Sequence, residues 1–387
     1  MTPVYITGMG VFLPNAPVSN DEIEDVLGHI NKRSSQVKQW VLNYNGIQSR
    51  HYAIYPESGE AIYSNAQMTT YAIRKALDDA RMSPSKLECL ASGTSSADQI
   101  LPNHAVMVHG LLGNQPMEVA CTNGVCCSGM TAFKYAFMNV ASGQARNAAA
   151  TGSELASVSL RASHFRPELE LQRSELQAKD MAQEPMLAFE NEFLRWMLSD
   201  GAGAWILSNR PREEGPSLRI DWLDILSYAN EVESCMYYGA VKHRDGSLTG
   251  FRLCDDPETL VKGGYLSLRQ DVEVLRKNLP AMTRRACLRA CQRHQLTPNQ
   301  IDWFLPHYSS EGFRQPLYDG MLDARFVVPQ EKWFTNLTWK GNTGSASIYI
   351  ILEELVSSGR AKRGDRVLCF VPESSRFTFA LLHLTVV

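Results

Sequence analysis

Short apolar runs bounded by Gly, Asn and Ser alternate along the chain with segments whose apolar residues recur every three or four positions. That alternation predicts an α/β protein with buried sheets. VYITGMGVFL reads as a strand entering a Gly-rich turn, and SNDEIEDVL as a helix start with Ser19 and Asn20 as caps and Ile23, Val26 and Leu27 on one face. A helix is predicted over 61–81, followed by the strand LECLASGT. MEVACTNGVCCSGMTAFKYAFMNVASG reads as strand then helix, with Met130, Phe133, Phe137 and Val140 at helical spacing and Gly143 as the stop. NAAATGSELAS is a further strand, residues 164–197 are polar and helical in character, and SDGAGAWILS returns to strand.

The second half repeats the order, with a strand at LRIDWLDIL, a long helix over 269–294 and the strand IDWFLPHY. Strand, turn and buried helix follow in WFTNLTWKGNTGSASIYIILEELVSSG, and RVLCFVPESSRFTFALLHLTVV closes as two strands. Two halves of β-α-β units, 1–210 and 211–387, suggest a duplicated fold with the active site between them.

Composition narrows the function. The 387 residues are 44% hydrophobic and 20% charged with a formal net charge of −3, ordinary for a globular chain with a large core. No Lys/Arg stripe offers a nucleic-acid surface, and no apolar run reaches the roughly 20 residues a membrane span needs. The opening MTPVYITGMGVFLPN lacks a basic stretch followed by an apolar one, so a cytoplasmic, reducing setting is expected. Nine cysteines, an odd number, suit free thiols better than a disulfide framework.

Three of those cysteines, Cys121, Cys126 and Cys127, stand in ACTNGVCCSGMTAF. Zinc would need a second Cys or His pair at ligand spacing; His104 and His109 are the nearest, and no CxxC exists, so no metal is expected. A disulfide between Cys126 and Cys127 would close a strained vicinal ring. Small thiols packed under a strand-to-helix turn are the bland reading. The catalytic reading rests on position, because a thiol at a helix N-terminus faces free N–H groups that lower its pKa. It needs partners. His307 stands just past a buried strand in FLPHYSS, and Asn342 in a Gly-flanked turn in KGNTGSAS. Taken alone, a core histidine and a turn asparagine would account for both.

Together these segments resemble the thiolase-superfamily condensing enzymes, and most closely β-ketoacyl-acyl-carrier-protein synthase III. ITGMGVFLPN and VLNYNGIQSRHYA are similar to that family's opening strand and GI-x-x-RH segment. LSDGAGAWILS, DWFLPH and GNTGSAS are similar to its GDGAGA strand, histidine strand and asparagine turn, in the family's order. The resemblance implies a five-layered αβαβα fold, a homodimer, no cofactor, and a Cys–His–Asn site acting on acyl-carrier-protein or coenzyme A thioesters. Thiolase-like nucleophile motifs read C-A-S-G-M with the helix-ending Gly seventeen residues on, and Gly143 stands seventeen residues after Cys126. Cys126 is therefore taken as the nucleophile with His307 and Asn342. A synthase III alignment would select Cys127, and the resemblance of ACTNG to an elongating-synthase motif would select Cys121.

The chain also departs from that family. PESSRFTF replaces a Gly-rich loop, which places Ser374, Ser375 and Arg376 at glycine positions and makes Ser375 a candidate substrate contact. The Trp and Arg that sandwich the adenine of coenzyme A correspond to Trp40 and Tyr44, which favours carrier-protein-bound substrates. Leu101 corresponds to a residue that reaches into the partner subunit's pocket, and 164–197 to a longer cap over the substrate tunnel. These features resemble the relatives of secondary metabolism, among them dialkylresorcinol-forming enzymes that join two acyl-derived thioesters, one a β-ketoacyl chain. The expected reaction is a carbon–carbon-forming Claisen condensation. Its rivals are acyl transfer to an alcohol or amine, and a non-catalytic subunit partnering an active paralogue.

Overall fold

The computed structural model describes residues 2–177, 187 and 189–387. The first half runs β1 (Tyr5–Phe12), α1 (Lys38–Asn45), α2 (Asn65–Asp79), β2 (Cys89–Thr94), α3 (His104–Leu112), β3 (Glu118–Asn123), α4 (Ser128–Ala141) and β4 (Asn147–Glu154), then α5 (Arg166–Gln177), α6 (Phe189–Arg195) and β5 (Gly201–Ser208). The second half runs β6 (Leu218–Ser227), α7 (Val272–His294), β7 (Trp303–Pro306), α8 (Arg314–Asp323), α9 (Ser347–Ser357), β8 (Arg366–Pro372) and β9 (Thr378–Val386). Helix α2 starts at Asn65 rather than near 61 because Ser64 and Gln67 form a capping box there.

The nine strands form one sheet in the order β7-β8-β9-β6-β1-β5-β4-β2-β3. β1 and β6, the first strands of the two halves, join them through the antiparallel pairs Tyr5↔Arg219 and Ile6↔Leu218. Parallel pairing links β2 to β3 and β4, and β7 to β8; the last strand of each half returns antiparallel. The halves thus repeat the same order, with one difference. Where the first half has the full strand β3, the second has only a parallel bridge from Phe304 to Trp333.

Alternation along the strands sorts side chains into layers. On β8, Val367, Cys369 and Val371 face one cluster while Leu368 and Phe370 face another. The inner cluster gathers Cys89 and Ala91 of β2, the α4 residues Met130 and Phe133, the α9 residues Ile348 and Leu352, and the inner face of β8 and β9. An outer cluster packs α2 and α3 on the first half, through Ala72, Ile73 and Val108 against Leu90 and Ile206. The other packs α7 and α8 on the second half, through Leu279, Met282 and Leu317 against Phe370 and Phe379. Two sheets' worth of strands with helices outside and between make the thiolase-like αβαβα arrangement expected above.

The middle layer is tight at one crossing. A Cβ on Gly152 of β4 would lie 2.2 Å from the carbonyl oxygen of Ser345, in the turn before α9. Only glycine allows that approach.

The stretch 164–197 is less of a polar cap than its composition suggests; residues 178–186 and 188 lie outside the described residues. Its final part is core. Phe193, Leu194, Arg195 and Trp196 are fully buried. The Arg195 guanidinium spends its N–H groups on the carbonyls of Leu160, Leu27 and Gly28, and lies over the Trp196 ring. Those bonds and the stack let a cation sit inside.

Candidate active site

Cys126 stands in the turn between β3 and α4. Gly124, at φ +156, ends the strand. The Ser128 N–H and Oγ–H both donate to the Val125 carbonyl, at 3.0 and 2.7 Å, and the Thr122 hydroxyl donates to Ser128 O at 2.8 Å. This closes a tight turn with both cysteines buried at the mouth of the helix.

The two thiols have different surroundings. Cys127 Sγ donates to the carbonyls of Val371, at 3.2 Å, and Thr378, at 3.4 Å, between β8 and β9. It is tied into the sheet. Cys126 Sγ has no such bond among the described residues; the backbone N–H groups of Cys126 itself and of Ser374 act only to lower its pKa. Cys121 lies on β3, paired with Ser92, away from the helix start.

His307 follows the last residue of β7 and its N–H donates to Phe370 O at 2.8 Å, next to the Val371 carbonyl that receives Cys127. Its ring Nε2 is buried and has no hydrogen-bond partner. Asn342 is clamped to the approach to β5: its N–H donates to Met197 O at 3.2 Å and its carbonyl accepts from Ser199 at 2.8 Å. Its side-chain Oδ1 accepts from Gly344 N–H at 2.9 Å, which leaves the amide NH2 as the available donor. Three residues on, Ser345 N–H donates to Glu154 at the end of β4, a carboxyl close enough to act on Cys126. Cys126, His307 and Asn342 each stand at the carboxyl-terminal side of the parallel strands, where α/β proteins place their sites.

The electrostatics differ from what a bare helix N-terminus would give. Burial pushes the Cys126 thiol well above its ordinary value, and the Glu373 and Glu154 carboxyls push the same way. The two backbone N–H groups oppose this without prevailing. The resting form is the thiol. Burial lowers His307 to about 4, so its imidazole is neutral at pH 7. A neutral imidazole and an amide NH2 can both donate to an oxygen that gains charge.

The remaining candidates sit at the periphery. Trp40 is 56% exposed on α1, and its ring stacks directly on Tyr44, 5.6 Å between centroids at 8°. A third aromatic ring between them would need about 7 Å, two contact distances of roughly 3.5 Å. Leu101 is 81% exposed, ahead of α3. Ser375 turns its carbonyl to the N–H groups of Cys235 and Met236, and the backbone N–H of the preceding Ser374 acts to lower the Cys126 thiol. A surface groove lies at the opposite ends of the strands, where Arg212–Asp79, Arg146–Glu88 and Arg81–Glu214 pair charge with charge.

Two features were not recognised from the sequence. The segment 228–236 buttresses the PESSRF loop: Cys235 N–H and Sγ reach Ser375 O and Ser374 O, and Arg376 Nε donates to Val232 O. It carries no motif. Glu373, one residue before Ser374, places Oε2 3.1 Å from Cys127 N–H, at the opening of α4. Its only signal was a carboxyl in a loop where the resembled family carries glycines.

Comparison with known proteins accords with this geometry. Residues 291–371, which hold both His307 and Asn342, match the family model described as 3-oxoacyl-[acyl-carrier-protein] synthase III C terminal. The 3-oxoacyl-[acyl-carrier-protein] synthase III of Aquifex aeolicus superposes with a TM-score of 0.70 at 20% identity, over 99% of both chains. A tetronic acid condensing enzyme superposes at 0.74 and 18%, and OleA of Xanthomonas campestris, described with bound lauric acid and lauroyl-CoA, at 0.70 and 19%; each match covers 99% of both chains. Over essentially its whole length, then, this chain has the fold of the synthase III condensing enzymes.

Proposed function

We propose that the protein joins two acyl-derived thioesters by Claisen condensation through an acyl group carried on Cys126. The observation that carries this reading is the buried, neutral His307 with its ring Nε2 unpartnered, facing the same strand ends as Cys126 and the free amide of Asn342. An orphaned buried donor is costly unless a reacting group completes it. In the first half-reaction the Cys126 sulfur attacks a thioester, and the N–H groups of Cys126 and Ser374 receive the oxyanion. In the second, His307 and Asn342 donate to the thioester oxygen of the incoming nucleophile as a carbanion forms. That second demand distinguishes condensation from transfer of the acyl group to an alcohol or amine, which needs no carbanion.

The closed Trp40–Tyr44 stack supports acyl-carrier-protein delivery over coenzyme A. The PESSRF loop supports a place in fatty-acid- or polyketide-type secondary metabolism, with a β-ketoacyl partner as in dialkylresorcinol formation. A homodimer is supported by the outer edge of β3, unpaired among the described residues, and by Leu101, Ile100 and Met138 exposed nearby. Intact-mass measurement with a panel of acyl-carrier proteins, then product analysis with malonyl and β-ketoacyl donors, tests the reading. An acylated Cys126 that yields only esters or amides would replace condensation with acyl transfer.

A further inference from the structure

The Glu373 carboxyl stands in a costly position. It lies largely out of water, and among the described residues no cation pairs with it. Its one hydrogen bond is from Cys127 N–H at 3.1 Å. A Cβ on Gly124 would lie 3.8 Å from the same Oε2, so the carboxyl fits against the turn that holds Cys126. The backbone N–H of the next residue, Ser374, lies close enough to Cys126 to act on its thiol. Glu373 is thus bound to the residue after Cys126, while its own neighbour acts on Cys126 itself. The titratable groups around it are thiols, Cys126 and Cys127 on the α4 turn and Cys235 on the buttressing segment. Cys127 is engaged by two carbonyls and Cys235 by Ser374 O, which leaves Cys126 as the thiol free to give up a proton.

We propose that Glu373 is the acid–base group for Cys126 in acyl transfer, an inference that rests on the reading of Cys126 as the acylated residue. The ionised carboxylate takes the thiol proton as the sulfur attacks the thioester carbon. When the tetrahedral intermediate collapses, the carbon–sulfur bond to the carrier breaks and protonated Glu373 returns the proton to the leaving thiolate. One thioester bond forms, one breaks, and Glu373 ends ionised as it began. Burial pushes this carboxyl up to about 7, against the Cys127 hydrogen bond, which suits a group that must both take and give a proton near neutrality. The same carboxylate occupies the helix N–H that would otherwise lower the thiol pKa. The chain thus replaces a standing thiolate with a thiol and a base beside it.

The test follows Cys126 reactivity against pH in wild type, Glu373→Gln and Glu373→Asp, by intact mass. Iodoacetamide is one probe and an acyl-N-acetylcysteamine thioester the other. In wild type both rates should rise to a plateau above about pH 7, because thiol with carboxylate and thiolate with carboxylic acid carry the same number of protons. In Glu373→Gln the plateau should vanish, the rate climbing about tenfold per pH unit to pH 9, with acylation at pH 7 down roughly 10²-fold or more. A wild-type profile in Glu373→Gln would overturn the proposal and leave Glu373 a helix cap. Should that variant fail to fold, Glu373→Asp must keep the plateau at a reduced rate; a plateau lost there would overturn it too. Failure of the thioester to label wild type at all, while iodoacetamide labels Cys126 with the plateau, would count against the acyl-enzyme reading and not against the proton acceptor.

Discussion

Gly152→Ala should unsettle the middle layer more than any surface change. The added Cβ would meet Ser345 O at 2.2 Å, Ser345 C at 2.7 Å and Ala346 N at 3.1 Å, all backbone. A relaxed carbon–oxygen contact is about 3.3 Å or more, so the turn must move by about 1 Å. Ser345 is pinned on three sides: its N–H donates to Glu154 at 3.2 Å, and its hydroxyl to Ser153 O at 2.9 Å and Gly93 O at 3.4 Å. Losing two of these bonds costs about 1 kcal/mol each, and overpacking adds about 1–3 kcal/mol. The expected destabilisation is about 3–5 kcal/mol, read from urea midpoints at constant slope. Because Asn342 lies three residues before Ser345, condensation should fall further than Cys126 acylation in the fraction that stays folded. Gly250→Ala is the control, since its Cβ meets nothing within 4 Å, and it should change stability by no more than about 0.5 kcal/mol. A Gly152→Ala cost below about 1 kcal/mol would refute the claim that the crossing is rigid.

Four further outcomes are expected. Cys126→Ala should abolish acylation, whereas Cys127→Ala and Cys121→Ala should keep it; peptide mapping of the acyl-enzyme decides among the three. His307→Ala and Asn342→Ala should still accept an acyl group but lose condensation by about 3–4 kcal/mol each, measured as product formed per acyl-enzyme. Because the folded state holds His307 at about 4 against an ordinary 6.5, the folded chain binds this proton less readily than the unfolded one. Its contribution is complete above pH 6.5 and lost as pH falls toward 4, up to about 3 kcal/mol, so His307→Gln should flatten that acid limb in urea titrations. Leu101→Asp should shift light scattering at micromolar concentration toward the monomer; an unchanged dimer would remove Leu101 from the interface.

Much of this architecture was legible because the relevant signals are local. The α4 start at Ser128 follows from the small residues of the turn, and the repeated β-α-β order from periods of two and three to four residues. The burial of α6 was not legible. Arg195 reads as a surface residue until carbonyls 35 and 168 residues away are folded around it. Glu373 was missed for the same reason. Its meaning depends on Cys127, 246 residues distant, and the PESSRF sequence alone shows only the loss of glycines. The helix-dipole argument for Cys126 identified a position correctly as strand-to-helix, but it could not see which group would occupy the N–H donors first.

The unequal halves also bear on how copies of the chain can associate. β3 keeps a complete outer edge, but its counterpart in the second half is a single bridge at Trp333, whose ring packs against Phe304 and Tyr318 and covers the end of the sheet. A chain with two open edges could add copies head to tail without limit. In the proposed homodimer, the β3 edge pairing with the same edge of another copy would close a two-fold pair. The shortened strand would leave the second half without an equivalent edge for a further copy to extend.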